Sequence, residues 1–474
     1  MKRILGMLLC TVMLLGITGC KNIPSQEATA PPVRKTLQVG FGRMEITPDI
    51  SVPLAGYGAT SLRMSIAAKD PLLVTCVALT DENDKTMLLL SQDLVNSHWA
   101  DEGRAAISQA TGVPTEQILI AGTHTHSGPD QTSDHENIQT WKPTYLAQVV
   151  AAAEAAMADR SPAETYTATA ELEKMNAVRH YKLENGTYAG DNFGSFKESP
   201  PVAHAEQNDP QLQLIRFVRQ GKQSVVMVNW QAHPTLTGGV SSLEMSADFI
   251  GSARTAFEEA TGDVMIYFTG AAGNQNVTSR MPFEHKTNDN DKYGTLLSQD
   301  IIAALETVKT PSITTIGAKE ITYTGNVNHT MEEKLADAKK VAEVYNAGGK
   351  TAANKMALEL GFSSAYHANA IVRRSGYGPT RDMKICALSI GDISFVAAPY
   401  EMFASNGRYI KDNSPFSMTF IISCCNGNNG YLPTEAAYDY GCYESHTGNF
   451  AKGTAEDLVK TYVTMLEELH KAEE

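Results

Sequence analysis

Apolar residues along this chain fall into short runs with two periods, one suited to strands and one to helices. Residues 37–46 have an extended pattern. Residues 86–90 and 117–121 are short apolar runs that predict buried strands, and 211–218 with 224–230 predict a strand pair around Gln220-Gly221. Residues 264–268 and 418–423 predict further strands, and 383–390 pairs with 393–397 around Gly391-Asp392. Helical spacing occurs at 101–111, 145–160, 247–261, 293–308, 401–411 and 454–471. A charged helical insertion is expected at 330–360, broken near Gly348-Gly349. Alternation of the two types predicts an α/β protein, a large multilayer domain with mixed β-sheets flanked by helices.

The N-terminus breaks this pattern. Lys2 and Arg3 precede an almost wholly apolar run from Ile4 to Ile17, closed by Thr18-Gly19-Cys20. That is a signal-peptide layout ending in a lipobox-like cysteine. The run is shorter than the ~20 apolar residues needed to span a bilayer. Residues 1–19 are therefore expected to be a lipoprotein signal peptide and Cys20 the lipidated new N-terminus. Residues 20–37, polar and proline-bearing, form a flexible tether. The protein is expected to be exported and held by its lipid on the outside of a bacterial membrane, with residues 38–474 as one large domain.

Charge and cysteines narrow the function classes. The formal net charge is −14 and no basic run is present, which argues against a nucleic-acid partner. Seven cysteines include Cys10 in the signal and Cys20. The other five show no CxxC spacing, so a thiolate metal site is not indicated. Cys76 and Cys386 read as small buried apolar residues. A bridge from Cys424 or Cys425 to Cys442 is open in an oxidising compartment.

The residues with most chemical content follow the apolar run that ends at Ala121. Thr123-His124-Thr125-His126-Ser127-Gly128-Pro129 places two histidines at a strand end. On an extended backbone alternate side chains share a face, so both imidazoles would meet one pocket. Such a pair either sets a metal ligand beside a second polar group or consists of two structural histidines bonded to loops. His233, before Pro234 at the end of another apolar run, taken alone is a capping or core histidine. Two strands that both end in histidine-bearing turns suggest a common site, because sites in α/β sheets gather at strand ends.

In order along the chain, several segments resemble the catalytic domain of neutral ceramidases. They are Gly40 to Pro48, Gly56-Tyr57-Gly58, Ser91-Gln92-Asp93, the 123–129 segment, Ala232 to Thr235, Gly270 to Asn276, Ala398 to Glu401, and Gly430-Tyr431 through Tyr443-Glu444. The resemblance spans roughly residues 38 to 470. It implies a zinc ion held by His124, His233, Glu401 and Tyr431. It implies a proton-handling or substrate-contacting role for His126, a pocket role for Arg179, and a carbonyl-oxygen contact for Tyr443. Read without the resemblance, Arg179 is a surface ion-pair residue and Tyr443 packs in the core. The implied reaction is cleavage of the N-acyl amide of a ceramide-like lipid, giving a fatty acid and an amine, by attack of zinc-bound water. The same centre on another N-acyl or ester lipid, or a surface lipoprotein that binds lipid without turnover, are the rival readings.

Four departures from the family pattern stand out. Asn276 occupies the place of a serine once proposed as nucleophile, and it either contacts the substrate or satisfies turn backbone. Asp130 interrupts a diglycine, and Pro399-Tyr400-Glu401 replaces proline-glycine-glutamate. The C-terminal immunoglobulin-like domain of full ceramidases is expected to be absent.

Overall fold

The computed structural model describes residues 36–473 except 59–62, 192, 238, 282–286 and 288. The expected signal peptide, the lipidated Cys20 and the tether up to residue 35 lie outside the described residues. Lys35–Glu474 forms a single compact unit. No helix among the described residues is long and apolar enough to cross a membrane.

Two sheets stack face to face between helices, giving four layers. The larger sheet contains β1 (Gln38–Glu45), β2 (Leu73–Thr80), β3 (Thr86–Gln92), β4 (Ile118–Gly122), β5 (Ser161–Glu171), β6 (Gln211–Arg219), β7 (Val225–Trp230) and β8 (Val264–Thr269), in the order β8-β7-β6-β5-β1-β2-β3-β4. The smaller contains β9 (Ile316–Asn326), β10 (Thr380–Ile390), β11 (Ile393–Ala397) and β12 (Met418–Ile422) in sequence order. Leu89, Leu119, Met227 and Phe268 from the first meet Leu388, Phe395 and Phe420 from the second in the central core. Opposite faces carry helices. α1 (Ala100–Thr111) and α2 (Glu136–Ala158) cover one half of the large sheet, and α3 (Phe249–Thr261) and α4 (Asn290–Ala304) the other. α8 (Ala404–Asn413) and α11 (Thr454–Glu473) cover the small sheet. Strands buried on both faces need apolar side chains at every position, which is why these runs are continuous rather than alternating.

Within these two sheets three strand pairs are parallel: β3 with β4, β7 with β8, and β11 with β12. Each is joined by a crossover carrying α1, α3 or α8, as parallel pairing requires. Their C-terminal ends meet at one edge of the two-sheet stack. Backbone hydrogen bonds join the sheets there: Ser423 N donates to Thr269 O at 2.9 Å, Gly122 N to Cys424 O at 3.1 Å and Asn426 N to Ile120 O at 2.9 Å. Asn229 Nδ2, fully buried, donates to Phe268 O and Ile421 O across the same junction. Arg254 on α3 grips Asp93 at the end of β3 through two hydrogen bonds of 2.9 and 3.0 Å, so the Ser91-Gln92-Asp93 motif fixes the frame.

Several boundaries differ from the sequence expectation. The strands β2, β5 and β9 were not anticipated. β2 is buried at every position after Leu73 and lies close to the polar turn 81–85, and β5 and β9 carry threonines and charges on partly exposed faces. Glu401–Met402 is not helical but pairs in parallel with Tyr431–Leu432, and α8 starts only at Ala404. α2 begins at Glu136 because His135 caps it, accepting from Asn137 N, and Pro143 is accommodated within it. The helical insertion comprises α5 (Leu335–Asn346), α6 (Lys350–Glu359) and α7 (Ala365–Arg374), and these bury their own apolar cluster. Among the described residues no disulfide forms: Cys76, Cys386, Cys424, Cys425 and Cys442 are all buried free thiols. Cys442, just after α9 (Glu435–Tyr440), caps the short α10 (Tyr443–Thr447) by accepting from Ser445 N, and Cys424 faces His124 instead.

Helix α2 sits on β1 because glycines there leave room. A Cβ at Gly42 would overlap the carbonyl oxygen of Ala152. Gly42→Ala is therefore expected to lower stability by about 1–3 kcal/mol through overpacking. Urea unfolding measures this, and an unchanged midpoint contradicts the packing described.

Candidate metal centre

The loop after β4 carries His124 and His126, but not on an extended backbone. β4 ends at Gly122, and His124 has φ 71°, in the left-handed region that a histidine rarely adopts. Hydrogen bonds hold it there: Thr123 N donates to Gln92 O, His124 N to Leu94 O and His126 N to Pro234 O. The bend, not strand alternation, brings the two rings together, with centroids 5.0 Å apart. His233 follows β7, and Glu401 follows β11.

Three of the four residues expected to hold zinc converge. His124 Nε2 lies 3.0 Å from His233 Nε2 and 3.1 Å from Glu401 Oε2, and His233 Nε2 lies 3.4 Å from the same oxygen. Both rings are oriented from behind. His124 Nδ1 donates to Val95 O at 2.6 Å and His233 Nδ1 to Ala272 O at 2.7 Å, leaving each Nε2 with its lone pair forward. Glu401 Oε2 is buried and accepts no hydrogen bond. In a tetrahedral zinc site with bonds of about 2.0–2.1 Å, ligand atoms stand about 3.3–3.4 Å apart. The observed separations bracket that edge, so these three residues fit a divalent cation.

The electrostatics agree. Burial holds His233 down at about 4, so its imidazole is neutral at neutral pH. Burial opposes charge on both partners of the His124–Glu401 pair. The Cys424 thiol and Glu401 nevertheless push His124 well above its ordinary value, and His124 draws Glu401 well below the carboxylate range. A cation would take the place of the proton this pair favours.

Tyr431 reaches the centre through the backbone. It pairs opposite Glu401, and Glu401 N donates to Gly430 O at 2.9 Å. Its hydroxyl accepts from Arg179 Nη2 at 3.3 Å. Arg179 is buried and is no surface residue. Its Nε donates to Glu444 Oε1 at 2.8 Å, and His180 Nε2 donates to Glu444 Oε2 at 2.9 Å. His180, Cys442 and Glu444 are close enough together to suggest a second metal group. Their polar atoms are already used, since His180 Nδ1 bonds the Tyr440 hydroxyl at 2.8 Å and Cys442 Sγ accepts from Ser445 N. This network orients Arg179.

His126 lies on the other side of the cluster, its Nε2 3.4 Å from His124 Nε2. Its Nδ1 is buried without a partner. Burial, with His124 and His233 nearby, holds its pKa well below the usual imidazole value. Gly56 lies against this ring, where a Cβ would come within 2.5 Å. His126, Arg179, Asn276, Tyr431 and Tyr443 all line one cavity of ≈ 270 Å³. Asn276 enters through a bridge to His233 and donates from Nδ2 to Asp191 Oδ2 at 2.9 Å, while its Oδ1 has no partner. His124 and Glu401 line an adjoining cavity of ≈ 430 Å³, with Asp130, Tyr400 and Cys424. The sequence reading therefore named the residues at the centre but missed Glu444, His180, Asp191 and Cys424. The Arg179-His180 and Tyr443-Glu444 neighbours were the available signal for the first two.

Neither a family model nor a curated protein matches this chain. Solved structures do. A structure described as a ceramidase complexed with C2 superposes with a TM-score of 0.66 at 16% identity, covering 92% of this chain and 76% of that one. The neutral ceramidase from Pseudomonas aeruginosa superposes with a TM-score of 0.64, also at 16% identity, covering 92% and 75%. The fold is that of the neutral ceramidases. On this neutral-ceramidase fold the chain places its histidine pair, His233 and Glu401 at the C-terminal ends of parallel strands, where α/β sheets build sites.

His124→Ala or His233→Ala is expected to abolish tight zinc binding, since two remaining ligands from this trio cannot hold the ion. Elemental analysis of the purified variants decides it. Stoichiometric zinc in both would exclude the assignment.

Proposed function

We propose that this protein is a zinc-dependent amide hydrolase that cleaves the N-acyl amide of a ceramide-like lipid to a fatty acid and an amine. The observation that carries the proposal is the convergence of His124, His233 and Glu401 beside a cavity lined by His126, Arg179, Asn276, Tyr431 and Tyr443. Tyr431, paired with Glu401, would complete the set of protein ligands. When bound, zinc lowers the pKa of water from 15.7 to about 7 and polarises a carbonyl.

The chain's own residues supply the rest. His126, with Nδ1 unpartnered, takes the proton from the attacking water and passes it to the leaving amine. The Tyr443 hydroxyl donates to the carbonyl oxygen as charge builds there. Arg179, locked by Glu444, holds the Tyr431 hydroxyl by donating to it. Among the described residues neither serine nor cysteine lines the His126 cavity, although Thr235 does, and in this proposal water rather than a side chain is the nucleophile. Export and lipidation at Cys20 would place the centre next to membrane lipid.

His126→Ala is expected to keep its zinc and lose roughly two or more orders of magnitude in rate, the scale of a lost acid–base group. Zinc content and fatty-acid release from a panel of N-acyl lipids test this together. Loss of the metal would make His126 a ligand, and absence of release from every lipid by the zinc-loaded wild type would contradict the hydrolase reading.

Hydrolysis in oxygen-18 water, with enzyme in excess, is expected to label the fatty acid within one turnover. A trapped acyl–protein adduct would contradict direct attack by water. Cys20→Ala is expected to leave the protein unprocessed or soluble, and unchanged detergent partitioning would exclude Cys20 as the anchor.

A further inference from the structure

The ≈ 270 Å³ cavity is lined by two charged side chains of opposite sign, Arg179 and Asp191. Arg179 is a cation in its wall, and Glu444 neutralises it through the 2.8 Å hydrogen bond between Nε and Oε1. Asp191 lines the same cavity without an ion-pair partner among the described residues. It acts on Arg179 electrostatically, without ion-pair contact, and its Oδ2 accepts only from Asn276 Nδ2. Asn276 Oδ1 adds a buried acceptor with no donor. A buried acceptor left unsatisfied is costly, so a ligand that supplies a donor gains from it.

The remaining walls are aromatic. Tyr57, Tyr366, Tyr431 and Tyr443 line the cavity, Tyr366 meets Tyr443 edge-on at 5.6 Å, and Tyr431 meets Tyr443 edge-on at 5.8 Å. Tyr366 comes from α7 of the helical insertion. That helix is clamped to the 446–449 segment by Arg374 Nη1 donating to His446 O and Gly448 O, both at 2.8 Å. Carboxylate, free amide oxygen and phenol rings together suit a positively charged or N–H-bearing nitrogen, by charge-assisted hydrogen bonding and by attraction to ring faces. They do not suit a carboxylate.

We propose that this cavity is the subsite for the nitrogen of the substrate's amine half, with Asp191 as its recognition residue. It would take the amide N–H before cleavage and the ammonium group of the released amine afterwards. The proposal rests on the amide-hydrolase reading above and adds which cavity takes the amine half. Asn276 contributes by fixing the Asp191 carboxylate through its Nδ2, a task that a serine, with no amide group, performs differently.

Matched eight-carbon probes test it without turnover. Octylammonium, octanol and octanoate are titrated calorimetrically into the zinc-loaded protein. The wild type is expected to bind octylammonium at least roughly ten-fold more tightly than octanol, and octanoate, titrated with excess acetohydroxamate to occupy the zinc, no better than octanol, as expected for charge-assisted contacts. Asp191→Asn, which keeps the shape, is expected to lose roughly ten-fold for octylammonium and to leave octanol unchanged. Tyr366→Leu, on a separate helix, is expected to weaken octylammonium several-fold and serves as the test if Asp191→Asn fails to fold. Equal binding of octylammonium and octanol, or a preference that survives both substitutions, overturns the proposal. Loss of the pattern in a protein that hydrolyses N-acyl amides contradicts the subsite and not the reaction. The pattern without any hydrolysis contradicts the reaction and not the recognition of the nitrogen.

Discussion

Three buried lone-pair atoms held within 3.0–3.4 Å of one another form a constraint that the surrounding structure serves. Two imidazole nitrogens and a carboxylate oxygen at such spacing repel unless a proton or cation sits among them. The folded chain keeps them there by spending backbone carbonyls behind each ring, at Val95 and Ala272, and by holding His124 at positive φ. A strained, desolvated arrangement of this kind persists only where the rest of the fold over-determines it.

That over-determination comes from the topology. Three parallel strand pairs end at one edge of a two-sheet stack, and each contributes to the centre: β4 the His124 loop, β7 and β8 His233 and the Gly270–Asn276 turn, β11 and β12 Glu401 and Cys424. Hydrogen bonds between the sheets at Ser423, Gly122 and Asn426 fix their relative position at that edge. Farther out, Glu444 is shared between Arg179 and His180, so the C-terminal segment bearing Tyr443 is tied to the cavity wall. The helical insertion closes the same wall through Tyr366.

The legible parts of the sequence are those where one local rule decides. Continuous apolar runs such as 86–90 and 264–268 are strands in the structure because burial on both faces leaves no alternative. The histidines were legible because each follows such a run, whereas Glu401, Tyr431, Arg179 and Tyr443 were named only through the family resemblance. The Thr-rich β5 was not, since its stability comes from neighbours 40 or more residues away, and threonines on a half-exposed face look like loop. Nor was the bend at His124, which depends on Gln92 and Leu94 carbonyls. Glu401 was assigned to a helix because its pairing with Tyr431 joins residues thirty apart. The Cys442 bridge that the sequence left open does not form for a similar reason: Cys424 is turned toward His124 and Cys442 toward Ser445, directions that spacing along the chain does not encode.

The central claim is that His124, His233 and Glu401 hold a metal ion together. Anomalous diffraction at the zinc absorption edge, on crystals of the purified protein, tests it most directly. The predicted result is one strong peak within about 2.0–2.2 Å of the two Nε2 atoms and of a Glu401 oxygen. A peak placed instead between His180, Cys442 and Glu444, or no peak from protein shown to be folded and supplied with zinc, would contradict it.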